Sequence, residues 1–123
     1  MKGFLPWQGG KSQMAGQLSG YINAIDHLCY VEPFMGAAHV FFAKEPAKVE
    51  VLNDINRDIS NLFRILQNHL EEFLKQFKWI LCSRDEFNRL NNQNGESLTD
   101  IQRAARFYYL QKLCFGGKAT QKT

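Results

Sequence analysis

No apolar run in the sequence approaches the ~20 residues a helix needs to cross a bilayer. The opening stretch, MKGFLPWQGGKSQ, lacks the apolar core of a secretory signal. A membrane partner is therefore not expected. Cysteine is scarce: Cys29, Cys82 and Cys114 lie far apart, are odd in number and form no CxxC pair. This argues against a disulfide framework and for a reducing, cytoplasmic setting. It also leaves no zinc site, because His27, His39 and His69 add no ligand spacing, and no metal is expected. Proline occurs only as Pro6, Pro33 and Pro46. There are no repeats and no low-complexity tracts.

What is present is ordinary for a small globular chain: 123 residues, 45% hydrophobic and 22% charged, with a net charge of +3. The distribution of charge says more than its sum. Residues 1–56 carry four Lys/Arg against five Asp/Glu, and residues 57–123 carry eleven against seven. From Ile101 onward come Arg103, Arg106, Lys112, Lys118 and Lys122 with no acid, interleaved with Phe107, Tyr108, Tyr109 and Phe115. A basic, aromatic end is compatible with a polyanion. On charge alone, a solvated helix face with a loose tail is the better reading.

Periodicity predicts a helix from Lys11 to about Ile25, with Met14, Leu18, Tyr21, Ile22 and Ile25 on one side. His27–Glu32 reads as a buried strand that Pro33 ends. Gly36–Ala43 reads as a helix, Lys48–Leu52 as a second strand and Asn53–Asn56 as a polar turn. From Arg57 to Trp79, the residues Ile59, Leu62, Phe63, Leu66, Leu70, Phe73, Leu74 and Phe77 form one stripe at helical spacing, which marks a core face. Arg84–Asn91 suits a short helix, NNQNGES a loop, and Ser97–Asp100 the cap of a helix from about Ile101 to Leu113 that Gly116-Gly117 ends. Strand–helix–strand implies a parallel pair. Parallel sheets normally have several strands and are covered on both faces. The chain therefore reads as the start of an α/β domain (1–56) followed by a helical region (57–123), mostly helical overall.

In open α/β sheets a ligand lies beyond the carboxyl ends of the strands. Phe34-Met35-Gly36-Ala37-Ala38 follows the first strand, and Asp54 follows the second, where an acid can bond ribose hydroxyls. The dinucleotide fingerprint GxGxxG is absent. Gly10-Lys11-Ser12 ends like a P-loop, but position 5 is Leu and no strand precedes it. S-adenosylmethionine (SAM), with an adenosine and a carboxylate but no pyrophosphate, fits what is left.

Three stretches, FLPWQGGK (4–11), YVEPFMGAAHVFF (30–42) and LNDIN (52–56), resemble in content and order the opening of the Dam-type, class alpha, SAM-dependent DNA adenine N6-methyltransferases. AARFYYLQKLCFGGK (104–118) is similar to the helix leading to that family's DNA-contacting region, particularly in prophage-like members. The resemblance implies the start of a Rossmann-like methyltransferase domain, SAM as cofactor, double-stranded DNA as partner and a bacterial or phage cytoplasm. It implies one cofactor wall from Trp7, Gly9, Gly10 and Lys11, with Lys11 near the cofactor carboxylate. It further implies a loop under SAM from Glu32, Phe34, Gly36, Ala37 and Ala38, and Asp54 on the ribose. Residues from about Arg57 would belong to the target-recognition region, with Lys112, Lys118 and Lys122 as DNA contacts. Read from the residues alone, Lys118 and Lys122 touch phosphate or are tail in equal measure. Asp54 alone reads as a turn or helix cap, Trp7 as a core anchor, and His39 as a helix residue with no ligand role.

The sequence departs from the family in two places. Ala38 stands where the family has its second glycine, which is strained if its φ is positive. The (D/N)PP(Y/F) motif that holds the flipped adenine does not occur in these residues. No catalytic residue is expected here. The expectation is an N-terminal fragment, inactive alone and completed by the missing C-terminal half or a second chain. The alternative is a non-catalytic SAM- or DNA-binding remnant. Exposed apolar surface predicts self-association as a homodimer.

Overall fold

A computed structural model describes residues 4–7 and 9–113. They form two compact units that divide between Ile55 and Asn56. No helix among the described residues is long and apolar enough to cross a membrane.

The first unit runs α1 (Ala15–Asn23), β1 (Cys29–Glu32), α2 (His39–Ala43), β2 (Val49–Leu52). β1 and β2 are parallel, with Cys29 opposite Val49, Tyr30 opposite Glu50, Val31 opposite Val51 and Glu32 opposite Leu52. The pair is amphipathic in an unexpected sense. The half-buried positions are Tyr30, Glu32, Glu50 and Leu52, and the exposed ones are Cys29, Val31, Val49 and Val51. Val31 keeps 55% of its surface, Val49 49% and Val51 45%. The sequence reading of β1 as a buried strand is thus corrected. Alternation puts every second residue on one face, and among the described residues no third layer covers that face.

Two helix starts also differ from expectation. Residues 12–14 form a turn, in which the Met14 N–H donates to Lys11 O at 3.2 Å, so α1 begins at Ala15. Met14, Tyr21 and Ile25 are exposed, and Ala15 and Ser19 are buried where α1 meets α2. Small side chains let two helix backbones approach, and of the expected stripe only Leu18 and Ile22 are half-buried. α2 begins at His39 rather than Gly36, because Gly36 (φ 51°) and Ala38 (φ 57°) are left-handed and break the helical path.

The second unit runs α3 (Arg57–Asn68), α4 (Leu70–Lys75), α5 (Arg84–Asn91), a 3-10 turn at Gly95–Ser97, and α6 (Asp100–Leu113). Each main helix has a chemical start. The Asn56 side chain accepts from the N–H groups of Asp58 and Ile59, and the Ser83 hydroxyl from that of Glu86. Thr99 and Gln102 form a reciprocal capping box, each side chain accepting from the other's N–H. α3 packs on α6 and buries Ile59, Leu62 and Ile65 on one side and Ala104, Ala105 and Phe107 on the other. The buried Asn61 is satisfied: its amide donates to Asp100 O at 3.0 Å and its oxygen accepts from Arg64 at 3.0 Å. Arg103 bridges to Asp58 at 2.8 Å and ties the same two helices.

The single helix predicted over 57–79 is two helices. His69 (φ −140°, ψ 42°) ends α3 and opens α4. The bend turns Phe73 and Phe77 onto Tyr108, at ring distances of 5.7 and 5.8 Å, while Leu70 and Leu74 are left exposed. Contact with α6 outweighs the continuous stripe. The expected stop at Gly116-Gly117 lies outside the described residues.

The double duty of Asn56, which satisfies two orphan N–H groups, leads to a first expectation. Asn56→Ala lowers the unfolding free energy by about 1 kcal/mol, read as a lower urea midpoint at unchanged slope.

Candidate functional site

A short segment before α1 begins the site. The Gly10 N–H donates to Trp7 O at 3.0 Å and closes a turn in which Gly9 has φ 77°. The turn brings the Trp7 indole onto Gly36. A Cβ built on Gly36 would lie 2.8 Å from the Trp7 ring, so glycine is required there by space as well as by φ. A Cβ on Gly10 would lie 3.1 Å from the His39 imidazole.

The loops after β1 and β2 are stitched together. The Asn53 N–H donates to Glu32 O and the Met35 N–H to Asn53 O, both at 2.9 Å. The Asn53 amide donates to Pro33 O at 3.0 Å, and the Gly36 N–H donates to Asp54 Oδ2 at 2.9 Å. Asp54 is therefore not the cap of α3; Asn56 is. A carboxylate has about four lone-pair sites, so one N–H does not exhaust it.

These pieces enclose a cleft of about 170 Å³ lined by Trp7, Gly9, Gly10, Lys11, Glu32, Phe34, Met35, Gly36, His39, Val40 and Asp54. Eight of the ten residues expected at a cofactor site line it. Ala37 and Ala38 do not; they are buried behind it. Met35, His39 and Val40 line it and were not expected to. His39 occupies the first position of α2, a placement that helical spacing alone does not mark as facing a cleft. Phe34 is 79% exposed, unusual for an aromatic beside a cleft.

The electrostatics are set from behind the cleft. Glu32 accepts from the Tyr30 hydroxyl at 3.0 Å. Burial raises its carboxyl above the usual range, against the Tyr30 hydrogen bond and the charges of Lys11, Lys44 and His39. Lys44, whose side chain is fully buried, donates to Glu50 Oε1 at 3.0 Å. Burial resists ionisation of Glu50, but the bonds from Lys44 and the Ala47 N–H, with the Lys44 charge, hold it below the usual range.

Residues 7–122 match the model of the family described as D12 class N6 adenine-specific DNA methyltransferase. The chain belongs to this family. Among curated relatives, it is 30% identical to a DNA adenine methylase of Serratia marcescens, an alignment that covers 94% of this chain and 43% of that protein. It is 27% identical to the type II methyltransferase M.MjaIII of Methanocaldococcus jannaschii, covering 95% and 47%, and 28% identical to the DNA adenine methylase of Escherichia coli, covering 94% and 42%. The D12-class chain thus spans less than half the length of these relatives. The resemblance read from its three motifs is borne out at the level of family.

Of the three lysines expected at DNA, Lys112 is exposed in the last turn of α6, with its ammonium 5.7 Å from the Tyr108 ring centre. Lys118 and Lys122 lie outside the described residues.

The two glutamates pull stability in opposite directions with pH. A carboxyl raised in the folded chain contributes stability below its ordinary range, which is lost as pH rises through the raised value. One held low contributes above its ordinary range and loses it as pH falls through the lowered value. Glu32→Gln therefore raises the melting temperature at pH 7, and the gain vanishes near pH 4. Glu50→Gln lowers it at pH 7, with the difference shrinking in acid. Thermal unfolding followed by circular dichroism at both pH values checks both signs.

Proposed function

We propose that the cleft binds S-adenosylmethionine and that the chain is the N-terminal portion of a DNA adenine N6-methyltransferase of Rossmann-like fold, with the helical unit beginning its target-recognition region. The observation that carries this is the meeting of Trp7, Lys11, Glu32, Phe34, Gly36 and Asp54 around one cleft at the carboxyl ends of two parallel strands. When bound, S-adenosylmethionine supplies an electrophilic methyl on a sulfonium centre. Asp54 is suited to the ribose hydroxyls, Lys11 to the carboxylate, Glu32 to the cationic end, and the exposed Phe34 ring to an apolar ligand face. Ligand pockets usually span ~300–1,000 Å³. At about 170 Å³ the cleft supplies part of such a site, and the acceptor motif for adenine belongs to the complementary portion of the enzyme. Double-stranded DNA is the substrate, in a restriction–modification or post-replicative setting, with Lys112 among the phosphate contacts.

Two expectations follow from different features. Calorimetric titration of the 123 residues gives micromolar S-adenosylmethionine affinity, weakened about tenfold or more by Asp54→Ala and also weakened by Phe34→Ala and Lys11→Ala. The last two residues are exposed, so their replacement leaves the fold intact. Absence of heat with the unaltered chain would defeat the reading. The same chain transfers no methyl group to DNA by itself.

The apolar face of Cys29, Val31, Val49 and Val51 is assigned to the rest of the methyltransferase domain, in the same or a second polypeptide. In isolation it drives association of two copies. Light scattering then finds a mass that rises with concentration, and Val31→Lys with Val49→Lys returns it to that of a monomer.

A further inference from the structure

The covered face of the sheet holds a row of ionisable groups, of which the binding reading uses only Glu32. Tyr30 and Glu32 share that face of β1, two residues apart, and Glu50 lies directly opposite Tyr30 on β2. Lys44, just after α2, is inserted among them. Its side chain has no exposed surface, its ammonium donates to Glu50 Oε1 at 3.0 Å and Glu45 O at 3.1 Å, and it sits 4.1 Å from the Tyr30 ring centre and 5.7 Å from that of Phe41. A buried ammonium is tolerated only when paired and hydrogen-bonded. Held on two sides, Lys44 is a fixed charge against the Tyr30 ring, where a cation–π contact in a dry setting is strong. The Tyr30 hydroxyl in turn reaches Glu32 Oε2 at 3.0 Å, and Glu32 lines the cleft.

We propose that Lys44 and Tyr30 are positioning residues for the Glu32 carboxylate: the buried ammonium fixes the Tyr30 ring, and the Tyr30 hydroxyl, through its hydrogen bond, holds the Glu32 carboxyl turned to meet the cationic end of the ligand. The ligand part of this rests on the S-adenosylmethionine reading; the Lys44–Tyr30–Glu32 part does not. The charges bearing on Glu32 are Lys11 before α1, His39 at the start of α2 and Lys44 after it. Asp54 after β2 lines the same cleft, and Glu50 on β2 is held by Lys44. Tyr30 contributes its hydrogen bond, and its own ionisation is pushed upward by burial and by Glu32. Neutralising Lys44 removes the cation that balances Glu50 beside this row.

The test begins without ligand. Carbon-13 NMR of the glutamate carboxyls follows Glu32 through its titration in the full chain, in Tyr30→Phe and in Lys44→Gln. Both variants move the Glu32 midpoint upward, and Lys44→Arg, which keeps the cation, moves it less than Lys44→Gln. An unmoved midpoint in Tyr30→Phe overturns the proposal. Calorimetry with S-adenosylmethionine then reads the consequence. Tyr30→Phe weakens binding roughly three- to tenfold at pH 6, as the loss of one charge-assisted hydrogen bond allows, and less at pH 8. In a Glu32→Gln background the same change has less than about a twofold effect, as groups acting through one residue must. A loss equal at both pH values, or undiminished in Glu32→Gln, means a structural role only and overturns it. If the unaltered chain binds no S-adenosylmethionine, the cofactor reading fails, and the ligand-free titration still decides whether Tyr30 and Lys44 govern Glu32.

Discussion

The cleft depends on a loop conformation that the loop cannot hold alone. Gly36 and Ala38 both sit in the left-handed region, and for alanine that costs on the order of 1–2 kcal/mol. The conformation persists because it is held from outside at several points. The Gly36 N–H donates to Asp54, the Met35 N–H donates to Asn53, and Trp7 lies against Gly36 where a side chain would stand. Three separate segments of chain, before α1, after β1 and after β2, thus fix one another. The residues that would meet a ligand are the ones that make the fold close. Asp54 serves both purposes at once: it anchors the loop and lines the cleft.

The sheet is inverted relative to the usual amphipathic pattern. Its covered face carries Tyr30, Glu32 and Glu50, the last paired with the buried Lys44, and its uncovered face carries Cys29, Val31, Val49 and Val51. A polar interior is costly unless its groups are paired; here Tyr30 bonds to Glu32 and Lys44 to Glu50. An apolar exterior is costly in water, and among the described residues nothing covers it.

The helical unit is more self-sufficient. Its caps at Asn56, Ser83 and Thr99 satisfy helix starts locally, and α6 is shared by α3, α4 and α5. α6 therefore decides the shape of the others. Past the bend at His69, both Phe73 and Phe77 reach the Tyr108 ring of α6. Arg106 adds to this by donating to Leu90 O at 2.7 Å, at the end of α5.

Much of this was legible in the residues. The helix–strand–helix–strand order of the first unit, the strand end at Pro33, the span of α5 and the capping segment before α6 all follow from chemistry between near neighbours, which sequence carries directly. So does family membership, because WQGGK, EPFMGAAHVFF and LNDIN are local strings. What tertiary structure decided was which face each string turns inward. Ala15 and Ser19, not Met14 and Tyr21, are the buried side of α1; Val31 is outside and Lys44 is inside; Ala38 is left-handed; His39 faces the cleft. Each of these depends on contacts or hydrogen bonds between residues far apart in the chain, such as Gly36 with Asp54 and Trp7, or Tyr30 with Lys44. Periodicity says that an element has two sides. Only the partner brought against it says which side is covered.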